Sequence, residues 1–276
     1  MAPTSQRRQA LQGLGLLLLA PQGWATNPPP RPAPPPNPEH SARWQGIRRS
    51  LFGDQALLEP GSALQLDMPA RAVDAAQVPL RLQAQPLPQA GEVQALWLVI
   101  DENPSPLSMA LTLHGPALAF VQTRVRVDSY THVRAIARWR DGSLRMATHY
   151  IKAAGGCAAP PLPAQGARAL GDIELQVQSP AEGVQELQAR IEHPNHNGLA
   201  LDPLTRLATP AHFLSELKLS LDEQPLLQAQ LDFSISDPPT LSLRWRGAAQ
   251  GQLRLHATDN RDQHFQQTLQ LCAVPR

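Results

Sequence analysis

Apolar and polar residues alternate in short runs along most of the chain after Leu51, the period-two pattern of half-buried strands. Val78 to Ala84 is one such run, and Leu107 to His114 and Val121 to Val127 repeat it. Leu96 to Ile100 is nearly all apolar, as expected of a strand covered on both faces. Val133 to Trp139 and Leu144 to Ile151 flank Arg140-Asp141-Gly142-Ser143, whose Asp-Gly pair is a strong short-range hairpin signal. A second series runs through Ile173 to Gln178, Val184 to Ile191, Phe213 to Leu221, Leu226 to Leu231, Leu241 to Trp245, Gly251 to Ala257 and His264 to Leu271. About seven short strands in about a hundred residues match an immunoglobulin-like sandwich, although a closed barrel gives the same periodicity. No window after Leu51 carries a long helical stripe. The pattern predicts an all-β chain with two immunoglobulin-like β-sandwich domains in tandem, over residues 45–153 and 169–276.

Composition narrows the function classes. A charged fraction of 17% is too low for charge-driven disorder, and 42% hydrophobic residues suffice for two cores. The net charge of +1 argues against a nucleic-acid partner, which calls for a frankly basic surface. Two cysteines exclude a dense disulfide scaffold and a four-cysteine zinc site.

At the N-terminus, Arg7-Arg8 precedes an apolar run from Leu11 to Ala20, followed by Gly23 and Ala25. A cationic start, about ten apolar residues and small residues at the cleavage positions predict a signal peptide over residues 1–25. The run is too short to span a bilayer, so no membrane span is expected in the mature chain. Cleavage removes two arginines and no acid, taking the charge from +1 to −1. Localisation in the periplasm follows, by the general or the twin-arginine route. Residues 26–44 read as a proline-rich linker, with eight prolines between Asn27 and Pro38.

Between the two strand series lies Ala153-Ala154-Gly155-Gly156-Cys157-Ala158-Ala159-Pro160-Pro161. No side chain around the cysteine is larger than a methyl group or a pyrrolidine ring. The composition suggests a thiol on a thin, mobile stalk able to enter an enzyme cleft, with Gly155, Gly156, Ala158 and Ala159 as the flexible arm within a 154–168 arm and linker. A disulfide between Cys157 and Cys272 is the competing structural use. It closes a loop of over a hundred residues, for about 4–5 kcal/mol in the chain-entropy model.

Ala154-Gly155-Gly156-Cys157-Ala158-Ala159 resembles the glycine-rich cysteine arm of the SoxY sulfur carriers of thiosulfate oxidation. Ser129-Tyr130-Thr131-His132-Val133-Arg134 and Asp141-Gly142-Ser143-Leu144 are similar to the last hairpin of that subunit. His193-Pro194-Asn195-His196-Asn197-Gly198, Pro210-Ala211-His212-Phe213 and Ser234-Ile235-Ser236-Asp237-Pro238-Pro239 resemble the SoxZ partner, and the layout is similar to fused SoxYZ-like carriers associated with quinoprotein dehydrogenases. The resemblance implies that Cys157 is the covalent sulfur attachment site, holding a persulfide or S-thiosulfonate. It implies a carrier that has no turnover and no cofactor of its own, served by haem, manganese or molybdenum enzymes of sulfur oxidation. An accessory role in a periplasmic quinoprotein (PQQ) alcohol dehydrogenase system is the alternative. In the two-subunit form the arm is a free tail; here the chain continues beyond Cys157, which shortens its reach.

The remaining polar clusters suggest structure rather than chemistry. His193 and His196, three apart in a turn-rich loop, make a weak metal spacing, and no metal site is expected. His132 and His149 fall on adjoining strands, which would allow them to face each other, and a packing or hydrogen-bonding role is expected for them. Asp101-Glu102-Asn103 reads as a solvated turn. No nucleophile elbow or phosphate loop occurs, and no acid-base constellation suggests an enzyme.

Overall fold

The computed structural model describes residues 36–159, 168–199 and 207–272. The expected signal peptide, residues 26–35 of the expected linker and residues 160–167 of the expected arm and linker lie outside the described residues.

The strands are β1 (Leu57–Leu58), β2 (Leu64–Asp67), β3 (Val78–Ala84), β4 (Val93–Ile100), β5 (Leu107–Leu113), β6 (Ala117–Val125), β7 (Thr131–Trp139), β8 (Leu144–Ile151), β9 (Ile173–Ala181), β10 (Val184–Ile191), β11 (Leu214–Leu221), β12 (Gln224–Leu231), β13 (Thr240–Arg246), β14 (Gly251–Asp259) and β15 (His264–Leu271). β3 shows the rule behind the alternation: Val78, Leu80 and Leu82 are buried, while Pro79 and Arg81 face solvent. β4 lacks the alternation because both its faces are covered, one by the second sheet and one by a helix.

The two predicted sandwiches are continuous with each other. One sheet has nine strands in the order β1-β8-β7-β4-β5-β12-β11-β14-β15, and the other has six in the order β2-β3-β6-β13-β10-β9. The halves join in both layers. β5 pairs antiparallel with β12, setting Leu111 opposite Ala229, and β6 pairs antiparallel with β13, setting Val121 opposite Leu243. One apolar core runs through both, taking Leu82, Leu98 and Val121 from the first half and Leu187, Leu217 and Leu243 from the second. Pairing the halves edge to edge satisfies backbone groups that two separate sandwiches would leave on open edges.

A helix departs from the sequence expectation. α1 spans Ala42–Phe52, where the pattern suggested the end of a linker and the start of the sandwich. The Ser41 hydroxyl caps it, accepting the Trp44 N–H at 3.1 Å, and Gly53 ends it at φ 59°. Trp44 and Phe52 pack with Val99, Ile136 and Leu144 on the outer face of the nine-stranded sheet. Its apolar stripe of Trp44, Ile47, Leu51 and Phe52 is short and interrupted by arginines, which hid the helical period. Fully buried Arg134 anchors the same corner. Its guanidinium stacks on Trp44 at 4.0 Å and donates to both oxygens of Asp101, so Asp101 is a buried ion-pair partner rather than part of a solvated turn.

Candidate functional site

The segment that carries Cys157 leaves β8 and runs along the end of the sandwich. Lys152 bonds through its backbone to Ala70 and Ala72. The Gly155 N–H then donates to the Asp128 carbonyl at 2.6 Å, and the Gly156 N–H donates to the Val127 carbonyl at 3.0 Å. Gly155 has φ 76° and Gly156 lies in a backbone slot. A Cβ on Gly156 would stand 2.1 Å from the Ala75 oxygen and 2.6 Å from the Val127 oxygen. Only glycine fits there. The next residue, Cys157, is fully buried, while Ala154 and Ala158 on either side of the pair are exposed.

Both halves grip this segment. From the first, Arg126 Nη1 donates to the Gly156 carbonyl at 3.4 Å. From the second, Asn197 Nδ2 donates to the Cys157 carbonyl. A buried ion pair between Arg126 and Asp237 crosses from one half to the other beside it. Asn103 braces the arrangement, donating to the Arg126 carbonyl at 2.8 Å and the Ser234 hydroxyl at 3.2 Å, and accepting the Asp128 N–H at 3.0 Å. Ser236 Oγ donates to the Ala76 carbonyl at 2.6 Å. The cysteine therefore sits at the seam, where loops of both halves interlock.

Burial drives the Cys157 thiol up to about 12, and the carboxylates of Asp128 and Asp232 push the same way against the opposing effect of Arg126. Burial also raises the Asp232 carboxyl and lowers His196. In this position the sulfur is a neutral, shielded thiol.

The projecting stalk suggested by composition is thus replaced by a docked segment. The same feature explains both: with nothing larger than a methyl group beside the cysteine, the backbone can approach strand ends closely enough to hydrogen-bond. The Cys157–Cys272 bridge is also absent. Both thiols are free, and Cys272 is exposed after β15.

The histidines pair differently from the sequence expectation. His193 meets His212, with ring centroids 4.5 Å apart, and both approach Asp259: His212 Nε2 lies 2.7 Å and His193 Nε2 3.5 Å from Oδ2. These donor atoms lie within 4.8 Å of one another, close enough to consider a metal. The hydrogen bonds do not fit one. His193 Nδ1 accepts the Asn195 N–H at 3.1 Å, which leaves the neutral ring's proton on Nε2, the nitrogen a metal would need. Burial first, then His212, lowers His193 to about 4. The trio is a buried carboxylate with two imidazoles against it, of which His193 is held neutral by burial. His132 stacks on Tyr150 at 5.0 Å across β7 and β8, not on His149, which is paired with Val133.

Nothing in the local sequence marks Asn103, Arg126, Asp128, Asn197, Asp232 or Asp237 as site residues. Arg126 and Asp128 continue the Val121–Val127 strand pattern without a break. Asn197, Asp232 and Asp237 lie far along the chain, and only the strand pairing at the seam brings them to the cysteine.

Comparisons with known proteins divide the chain at the same point. The family Sulfur oxidation protein SoxY matches residues 48–157, ending on the cysteine itself, and Sulphur oxidation protein SoxZ matches residues 174–270. The fold and the arm thus define a sulfur-oxidation carrier scaffold. The chain belongs to the SoxYZ family, with both partners fused in one polypeptide. No curated protein matches it. Among solved structures it is similar to the sulfur carrier protein SoxY from Chlorobium limicola f thiosulfatophilum, with 19% identity over 40% of this chain and 96% of that one and a TM-score of 0.35. A superoxide reductase (neelaredoxin) from Ignicoccus hospitalis is similar at 17% identity, covering 33% of this chain and 79% of that one, with a TM-score of 0.29. Among the described residues no helix is long and apolar enough to cross a membrane.

Proposed function

We propose that the protein is a periplasmic carrier that holds sulfur intermediates covalently on Cys157 and presents them to separate enzymes of thiosulfate oxidation. The observation that carries this reading is the placement of Cys157. The family match ends on it, its flanking residues are too small to obstruct a visiting active site, and glycine is required beside it. Gly155, Gly156, Ala158 and Ala159 act as the flexible arm, tethered at both ends. Export is supported by the Arg7-Arg8 start and the apolar run that follows it. On this reading the redox and hydrolytic steps fall to the partner enzymes. Among the described residues, none favours the accessory role with a quinoprotein dehydrogenase over carriage.

A buried neutral thiol is a poor nucleophile, so carriage requires the arm to leave the seam. The segment is held by a few hydrogen bonds to its backbone, two of them from the Arg126 and Asn197 side chains, which makes local release feasible without global unfolding. Replacing Cys157 with Ser in the host should abolish thiosulfate-dependent oxygen uptake, while Cys272→Ser should leave it unchanged. Undiminished uptake with Cys157→Ser would remove the carrier reading.

A further inference from the structure

We infer that the docked seam accepts only the unloaded thiol, so that attaching an anionic sulfur group to Cys157 expels the arm and displays the cargo. The inference rests on the carrier reading and adds its regulation: the arm's position reports whether it is loaded.

Geometry supplies the first part of the argument. Cys157 is fully enclosed, and the slot around Gly156 leaves no room for the backbone to shift inward. An added sulfane-sulfonate must be taken up in place, or the segment must leave. Charge supplies the second. Among the described residues, the charged groups acting on the thiol are the Arg126 guanidinium and the carboxyl groups of Asp128 and Asp232, with Asp237 against Arg126. Arg126 is already paired to Asp237. His196 is held neutral by its lowered pKa and offers no compensating charge. Even with Asp232 protonated, these described groups together stay negative. A sulfonate buried there would be stripped of water beside the Asp128 carboxylate, whereas outside the seam it is fully hydrated. Among the described residues, release gives up the bonds from Gly155, Gly156, Arg126 and Asn197, whose groups water can satisfy.

The bare thiol makes the opposite choice. It is neutral and weakly polar, loses little by burial, and is protected there from oxidation. The empty carrier is therefore closed and the charged carrier open.

The test uses the full chain carrying Cys272→Ser, so that Cys157 is the sole thiol. Tetrathionate loads it: the Cys157 thiolate attacks an inner sulfur, the sulfur–sulfur bond breaks, and thiosulfate leaves. The thiol proton passes to water and Cys157–S–S–SO3⁻ remains. Methyl methanethiosulfonate gives an uncharged control, Cys157–S–S–CH3, with methanesulfinate as the leaving group. Hydrogen exchange is then read at the Gly155 and Gly156 amides. The tetrathionate adduct should accelerate exchange about tenfold or more over the bare thiol, the methyl adduct clearly less, and reduction should restore protection. In Asp128→Asn, which keeps the backbone carbonyl that accepts from Gly155, the gap between the two adducts should narrow several-fold. Unchanged protection after tetrathionate loading would overturn the inference, and equal release by both adducts would overturn its electrostatic basis. Because the adduct is imposed chemically, either result is independent of whether the host loads Cys157. The carrier reading fails separately, through the host assay.

Discussion

At Cys157 and Gly156 the chemistry turns on a few ångströms. A thiol ionising at about 12 has a thiolate fraction near 10⁻⁵ at pH 7, against about 10⁻² for one ionising near 9, so the docked sulfur should react about a thousandfold more slowly than a free one. Gly156→Ala forces a Cβ to within 2.1 Å of the Ala75 oxygen and must undock the arm. In a Cys272→Ser background this variant should speed Cys157 labelling by Ellman's reagent by about two to three orders of magnitude while leaving the melting temperature nearly unchanged. Equal labelling rates with and without the substitution would contradict the docked geometry. The pH dependence has a definite sign. The released thiol ionises near 9 and the docked one only near 12, so docking is at full strength below pH 9 and weakens as pH rises through that window. Ultraviolet thiolate absorbance should titrate near 12 in the parent and toward 9 in Gly156→Ala. The cysteine and its small neighbours were legible in the sequence, because composition alone sets them apart. The burial of Gly156 and Cys157 was not, since a glycine that permits motion and a glycine that permits close packing are the same letter.

Strands were the most legible elements. β3, β8, β10 and β15 match the runs read from alternation residue for residue, and the Asp141-Gly142 turn joins β7 to β8 as its type demands. β1 and β2 escaped notice because two and four residues are too few to show a period. α1 escaped because its stripe is narrow and its tryptophan is buried by a tertiary contact, the Arg134 stack, that no local window contains. That contact also gives the helix a measurable role. Trp44→Ala should cost about 3–5 kcal/mol by urea denaturation, because it removes a fully buried indole and leaves the Arg134 face uncovered. A loss below about 1 kcal/mol would show that the helix is not seated on the sheet.

In the whole molecule, the two halves share both sheets and one core, so the tandem arrangement read from the sequence is a single packed body over the described residues. Alternation locates strands but carries no information about which edge meets which, and for that reason the seam, with the Arg126–Asp237 pair and the Asn197 bond, was invisible beforehand. Calorimetry should record one transition whose van't Hoff and calorimetric enthalpies agree, and two resolved transitions would mean that the seam is not cooperative. Acid should lower the stability of this single body through His193. His193 is held neutral down to about 4 while the unfolded chain protonates near 6.5, so stability is intact above 6.5 and falls as the pH drops toward 4. His193→Gln should flatten that part of the curve.

The account stands most directly on peptide-resolved mass spectrometry of native protein, purified under non-reducing conditions from cells oxidising thiosulfate. A sulfur adduct on the peptide containing Cys157, removed by reductant and absent from the peptide containing Cys272, is the predicted result. An unmodified Cys157, or a disulfide joining it to Cys272, would contradict the account.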